Sequence, residues 1–251
     1  MKKSLSLINK YISVFTFLFI LLVWQCICYF EFVPKFMLPS PLDVVSAFIS
    51  DFDLLLSHLI ITLFEAFMGL SLSVIFSFII AILMDRFNLF YKAIYPIIII
   101  SQTIPTIAIA PIIILWFGFG ILPKILLIFM TCFFPIVISI LSGFKSVDQD
   151  LLKFMDSIGS SYLKTLFLVK IPFALRSFFA GLKIASSYAI VGAVVSEWLG
   201  GDKGIGVYMT RVKKAYSFDK MFASIIIISL LSLLLVFIIK MLEDKVIFWE
   251  D

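Results

Sequence analysis

Six runs of apolar residues, each about as long as a helix must be to cross a bilayer, dominate this chain. They lie at roughly residues 11–30, 59–84, 93–117, 122–143, 174–198 and 221–240. A spanning helix takes about 20 residues, because each adds about 1.5 Å against a hydrocarbon core about 30 Å thick. In lipid every peptide N–H and C=O must find its partner within the protein, and a helix achieves this inside one segment. The runs therefore predict an all-α, polytopic membrane protein with about six transmembrane helices. Composition agrees, since 63% hydrophobic and 14% charged residues among 251 leave too little polar surface to cover a soluble domain. Short connections leave no room for a separate soluble domain, which argues against catalysis in water.

The organisation expected is an N-terminal transmembrane helix with an outer interfacial helix over 1–56, a membrane domain over 57–241 and a short cytoplasmic tail at 242–251. Lys2, Lys3 and Lys10 ahead of the first run resemble a signal peptide. The run is long and no small-residue cleavage site follows it, so a retained helix is expected. An inside N-terminus puts twelve Lys and Arg residues in cytoplasmic segments against seven outside, with Lys124 among the seven. That bias places both termini and the segment Lys145–Pro172 in the cytoplasm, although the basic stretch from Lys203 to Lys220 runs against it. The net charge of +4 is spread over loops, which suits a protein beside anionic lipid and gives no sign of nucleic acid. Cys26, Cys28 and Cys132 lie in apolar runs without ligand-type neighbours and read as small core residues.

Leu38-Pro39-Ser40-Pro41-Leu42-Asp43 reads as a helix start, with Ser40 as cap, Pro41 in the first position and Asp43 reaching back. Further on, Ser101-Gln102-Thr103-Ile104-Pro105-Thr106 brings polar groups and a helix breaker together at membrane depth. Such a break is tolerated where it lines a wet cavity, or where Ser and Thr bond back to their own helix. Gln102, Thr103, Pro105 and Thr106 are therefore candidate pathway residues, beside the simpler reading of a structural kink. Ionisable and amide groups within the runs are few, and Glu65, Gln102, Lys183 and Glu197 are the informative ones. Glu197, followed by the glycine-rich stretch 200–206, reads as an outer-gate residue or as a group at headgroup level. Glu65 needs a partner, for which Lys183 is one candidate.

The polar interruption Lys145–Pro172 is patterned like two short helices joined at Gly159. Val147, Leu151, Phe154 or Met155, and Ile158 recur at helical spacing, and Tyr162, Leu163, Leu166, Phe167 and Val169 do so after a Ser160 or Ser161 cap. Pro172 opens the next run. Such a segment either lies on the membrane surface or docks a soluble partner.

The chain holds no phosphate-binding loop, dinucleotide turn, zinc helix or nucleophile elbow, and its lone His58 has no evident catalytic partners. A secondary transporter would ordinarily show inverted repeats with paired broken helices, and only the third run is strongly interrupted.

The segment around Gly159 resembles the cytoplasmic signature of the transmembrane permease subunits of bacterial ABC importers, of the type-1 fold. That signature runs E-A-A, three residues, Gly, nine residues, then I-x-L-P. Gly159 and Pro172 stand at its spacing, with Val169 and Ile171 in place of Ile and Leu, and Lys153-Phe154-Met155 where the acidic-alanine part belongs. Leu38–Pro41, Gln102–Pro105, Ala110-Pro111, Leu115–Gly120, Phe134–Ile136, Ala180–Ala185 and Ser196–Gly201 are similar to the branch of sulfonate, taurine, nitrate and thiamine-precursor permeases. The Gln102–Pro105 and Glu197–Gly201 strings look closest to the hydroxymethylpyrimidine group. The resemblance implies a type-1 permease domain over 57–241 in the bacterial cytoplasmic membrane, with residues 145–172 as coupling helices. It implies cytoplasmic ABC ATPase subunits that bind the ATP and magnesium, with no cofactor in this chain. A second permease subunit, as a homodimer, and an extracytoplasmic substrate-binding protein complete the expected assembly. Asp156, Ser157, Gly159, Ser160, Ser161, Tyr162, Lys164 and Pro172 become the expected ATPase-coupling residues. A thiamine precursor is the expected cargo, with sulfonate, taurine, nitrate or riboflavin as alternatives.

Overall fold

The computed structural model describes residues 2–248, and side chains from residue 11 onward except that of Ser13. The end of the predicted tail and the side chains of Lys2, Lys3 and Lys10 lie outside the described residues. Within them the chain is helical and contains no strand. The elements are α1 (Lys2–Tyr29), α2 (Pro41–Ser50), α3 (Phe52–Arg86), α4 (Asn88–Ser101), α5 (Thr106–Phe117), α6 (Ile121–Lys145) and α7 (Gln149–Ser157). Then come α8 (Tyr162–Thr165), a π turn (Leu166–Lys170), α9 (Ile171–Gly200), α10 (Ile205–Lys214) and α11 (Phe218–Val246). Among the described residues, four stretches are long and apolar enough to span a membrane: α3, α6, the continuous run Tyr162–Gly200 and α11. α4 and α5 make a fifth only as a broken span, bent by 104°. Together with α1, which holds all but the last residue of the run 11–30, they agree with about six spans.

Contacts divide the chain into two compact units, Met1–Ser57 with Tyr208–Ile227, and His58–Val207 with Ile228–Asp251. In the first, α2 starts with the capping box that the sequence predicts. Ser40 Oγ accepts the Asp43 N–H at 3.2 Å while the Asp43 carboxylate accepts the Ser40 N–H at 3.0 Å. The indole N–H of Trp24 donates to the Pro39 carbonyl at 3.0 Å, and Val44 and Ala47 pack with Ala223 beneath Trp24 and Phe222. At the end of α2, Asp51 accepts from Lys220 Nζ at 2.8 Å and from the Tyr208 hydroxyl at 2.8 Å.

The second unit is built on α6 against α9. Ile128, Cys132, Ile136 and Ile140 of the former and Ala185, Ala189, Ile190 and Ala193 of the latter are fully buried. Lipid tails are as apolar as these side chains, so the helices are held by close packing and not by escape from water. Small residues make that packing possible. A Cβ on Gly181 would run into Ser139 and the Pro135 carbonyl. Hydrogen bonds between helices add to it, Ser73 and Ser77 donating to the Phe129 and Phe133 carbonyls at 3.1 Å each.

Several expectations need correction. Glu65 does not pair with Lys183; its Oε1 accepts from Lys124 Nζ at 2.7 Å, and Lys183 reaches Glu243 Oε2 at 2.6 Å. Lys124 is consequently no outer-loop cation but a buried residue of α6, which removes it from the charge count outside. The segment after Gly159 is not a free-standing second helix either. α8 passes through the π turn directly into α9, with Pro172 in the first turn of that helix.

Candidate functional site

The break between α4 and α5 covers 102–105: α4 ends at Ser101, and Pro105, which has no N–H to carry the ladder on, stands as the N-cap of α5. The Ser101 and Thr103 hydroxyls return to the Ile98 and Ile100 carbonyls at 3.0 and 2.7 Å, so the polar side chains do satisfy their own backbone. The break also opens a cavity of about 520 Å³. Its polar lining is Ser101, Gln102 and Thr106 from the break and Thr131 from α6, faced by Phe134 and by Tyr188 of α9. Among the described residues, no Lys, Arg, His, Asp or Glu lines it. Of the predicted pathway residues, Gln102 and Thr106 meet at this cavity, whereas Thr103 and Pro105 shape the turn without lining it.

Glu197 lies elsewhere. It is 1% exposed, its Oε1 accepting the Thr62 hydroxyl at 2.7 Å and its Oε2 the Gly206 N–H at 2.6 Å. Thr62 Oγ1 in turn accepts the Ile205 N–H at 2.9 Å, and His58 Nδ1 accepts the Gly204 N–H at 2.9 Å. Three consecutive amides, that of Gly204 and those of the first two residues of α10, are thus each taken by a side chain from α3 or α9. Gly204 has φ +122°, and a Cβ there would strike the Glu197 carboxyl. Glu197 is a latch for the glycine-rich stretch and not part of the cavity wall. The role of His58, which sequence reasoning left without partners, is the same.

In the segment Lys145–Pro172, Asp148 caps α7 by accepting the Asp150 N–H at 2.8 Å. The helix ends in a Schellman turn, with the Ser160 N–H on the Met155 carbonyl and the Gly159 N–H on the Asp156 carbonyl, both at 3.0 Å. That turn needs a left-handed residue, and Gly159 supplies it at φ +69°. Ser161, not Ser160, caps α8 through the Lys164 N–H at 3.4 Å. Met155 turns inward onto Val147 and Val169. Phe154, Ile158, Leu163 and Phe167 are each about 60% exposed. Asp156, Ser157, Gly159, Ser161 and Lys164 are exposed beside them, and Ser160, Tyr162 and Pro172 are half-buried. The Tyr162 hydroxyl is engaged by its own chain, donating to Asp85 Oδ2 at 3.0 Å, with the Arg86 guanidinium 4.6 Å from the ring centroid. The outward Phe154 and Ile158 were missed as surface residues because helical spacing assigns them to the same stripe as Met155.

Residues 73–248 match the family described as the binding-protein-dependent transport system inner membrane component. The chain belongs to this family. It is 35% identical over 228 residues to a probable ABC transporter permease of Haemophilus influenzae, covering 91% of this chain and 93% of that protein. It is 34% identical over 235 residues to the formylaminopyrimidine transport permease ThiX of Halalkalibacterium halodurans, covering 93% and 94%. A putative aliphatic sulfonates transport permease of Bacillus subtilis is 30% identical over 237 residues, covering 92% and 85%. Among solved structures, an amino acid ABC transporter chain superposes with a TM-score of 0.62 at 17% identity, covering 79% of this chain and 95% of that one. The permease therefore has the type-1 ABC permease fold and is a transporter subunit rather than an enzyme.

Proposed function

We propose that this ABC permease carries a thiamine precursor of the aminopyrimidine class, such as hydroxymethylpyrimidine, into the cytoplasm. The observation that carries the reading is the uncharged cavity at the α4–α5 break. A sulfonate or nitrate held there would meet no cation, and an ion at membrane depth without a partner is costly. A neutral aminopyrimidine presents ring nitrogens, an amine and a hydroxyl. The Gln102 amide and the Ser101, Thr106 and Thr131 hydroxyls suit those groups, and the rings of Phe134 and Tyr188 suit the flat heterocycle. The similarity to ThiX points the same way.

The exposed face of α7 and the Gly159 turn is the surface offered to a cytoplasmic ATPase subunit, which binds ATP and magnesium. Phe154 and Ile158 supply its apolar centre and Asp156, Ser157, Ser161 and Lys164 its polar surround. A second copy of the permease completes the pathway, both termini lie in the cytoplasm, and an extracytoplasmic binding protein delivers the cargo. The test is uptake of labelled hydroxymethylpyrimidine into vesicles holding the permease, its ATPase and its binding protein. ATP-dependent accumulation supports the reading. Accumulation of a sulfonate in place of the pyrimidine overturns the cargo, and uptake that follows an ion gradient without ATP overturns the mechanism.

A further inference from the structure

We propose that Asp85 is a positioning residue for coupling: it clamps both ends of the α8–π-turn stretch to the cytoplasmic end of α3. Displacement of that stretch then moves the span instead of being absorbed locally. The inference rests on the reading of α7 and α8 as the surface that meets the ATPase.

Asp85 is the penultimate residue of α3. Its two carboxylate oxygens each accept from Lys170 Nζ at 2.8 Å, and Oδ2 also accepts the Tyr162 hydroxyl at 3.0 Å. The same hydroxyl lies 3.3 Å from the Ile82 carbonyl one turn earlier. Tyr162 is the first residue of α8 and Lys170 the last of the π turn, so one carboxylate holds the two ends of a nine-residue stretch. The ion pair is well shielded, with side-chain exposures of 15% for Lys170 and 13% for Asp85. Salt and water therefore screen it far less than a surface pair. Arg86 stacks on the outer face of the Tyr162 ring and closes the group.

What makes the clamp necessary is the geometry between its two holding points. Leu166–Lys170 is a π turn, whose hydrogen bonds reach one residue further than those of an α-helix and at which helices kink. Through it alone, a push on α8 could dissipate as a rearrangement of the π turn, leaving α9 and α3 in place. With Tyr162 and Lys170 both tied to Asp85, the π turn is spanned by a rigid brace. Leu166 and Val169 are buried beneath it, whereas Leu163 and Phe167 face outward.

The experiment uses the permease in liposomes with its ATPase, carrying Gln102→Cys at the cavity as a reporter. Labelling by a small polar thiol reagent is measured with and without ATP, against the same protein lacking the added cysteine. In Asp85→Asn, ATP hydrolysis persists, and the ATP-dependent change in labelling falls roughly fivefold or more, a usual lower size for coupling between two sites. Asp85→Glu, which keeps the carboxylate, restores most of it. A merely structural role would lower hydrolysis and labelling change together and leave their ratio intact, and that result overturns the proposal. Should Asp85→Asn fail to assemble, Tyr162→Phe keeps the ring under Arg86 and removes only the hydroxyl. A reduced ratio there supports the clamp, and an unchanged ratio overturns it. A parent complex that hydrolyses ATP with no change in labelling overturns the importer reading itself and the clamp with it.

Discussion

Replacing Gly159 isolates one backbone conformation from every other effect. The residue sits at φ +69° in the Schellman turn, and nothing lies within 4 Å of where a Cβ would be placed. Gly159→Ala therefore meets no steric contact within the chain, and its cost is that of a left-handed alanine, about 1–2 kcal/mol. That amounts to a factor of about 5–30 in the ratio of closed to frayed helix end. Hydrogen exchange read by mass spectrometry across α7 should show the amides of Gly159 and Ser160 exchanging faster by that factor. Gly159→Asn should fall between the two, because asparagine tolerates the left-handed region better. Gly159→Val should be the worst, and it should leave the permease in the membrane while uncoupling ATP hydrolysis from uptake. Equal protection in glycine and alanine forms would refute the reasoning. So would an asparagine form as damaged as the valine form, since bulk and not backbone would then decide.

Glu65→Ala leaves the Lys124 ammonium buried without its carboxylate and should cost about 3–5 kcal/mol, seen as a lowered thermal midpoint in detergent. Replacing both residues by Leu and Met should recover most of the loss. Cysteines at Gln102 and Thr106 should react with polar thiol reagents in one nucleotide state and be protected in the other, whereas a cysteine at Glu197 should be protected in both. Asp51 titrates below the ordinary carboxylate range, because bonds from Lys220, Tyr208 and Ser50 outweigh the burial that would raise it. Its contribution to stability is therefore present above the unfolded carboxylate pKa of about 3.9 and disappears as pH falls through the lower folded value. Thermal midpoints of wild type and Asp51→Asn should accordingly converge in acid and separate near neutrality.

Features set by neighbouring residues were legible in the sequence. The Ser40–Asp43 box and the Gly159 turn are written in residues a few positions apart, and each capping group has one backbone partner within reach. The break at Gln102–Pro105 was legible for the same reason, though the angle of the bend was not. Partners across helices were hidden. Whether Glu65 meets Lys124 or Lys183 depends on the rotation of three helices about their axes, which hydropathy leaves open when nearly every face is apolar. Lys124 looked like a loop residue because it stands near the edge of its run, and only its carboxylate partner explains how a lysine sits inside. The π turn was invisible because its residues have ordinary helical spacing, and the extra residue in the turn shows only in the backbone of Leu166–Lys170.

The loop held by His58, Thr62 and Glu197 equips the permease with an internal reporter. Since Nδ1 of His58 accepts the Gly204 N–H, a neutral ring must carry its proton on Nε2, so the loop fixes which tautomer is present. The chain contains one histidine. A protein labelled only in histidine nitrogen would therefore give a single pair of imidazole resonances free of assignment ambiguity. Their separation would register, through the transport cycle and without any introduced probe, whether the Gly204 amide is still in its grip.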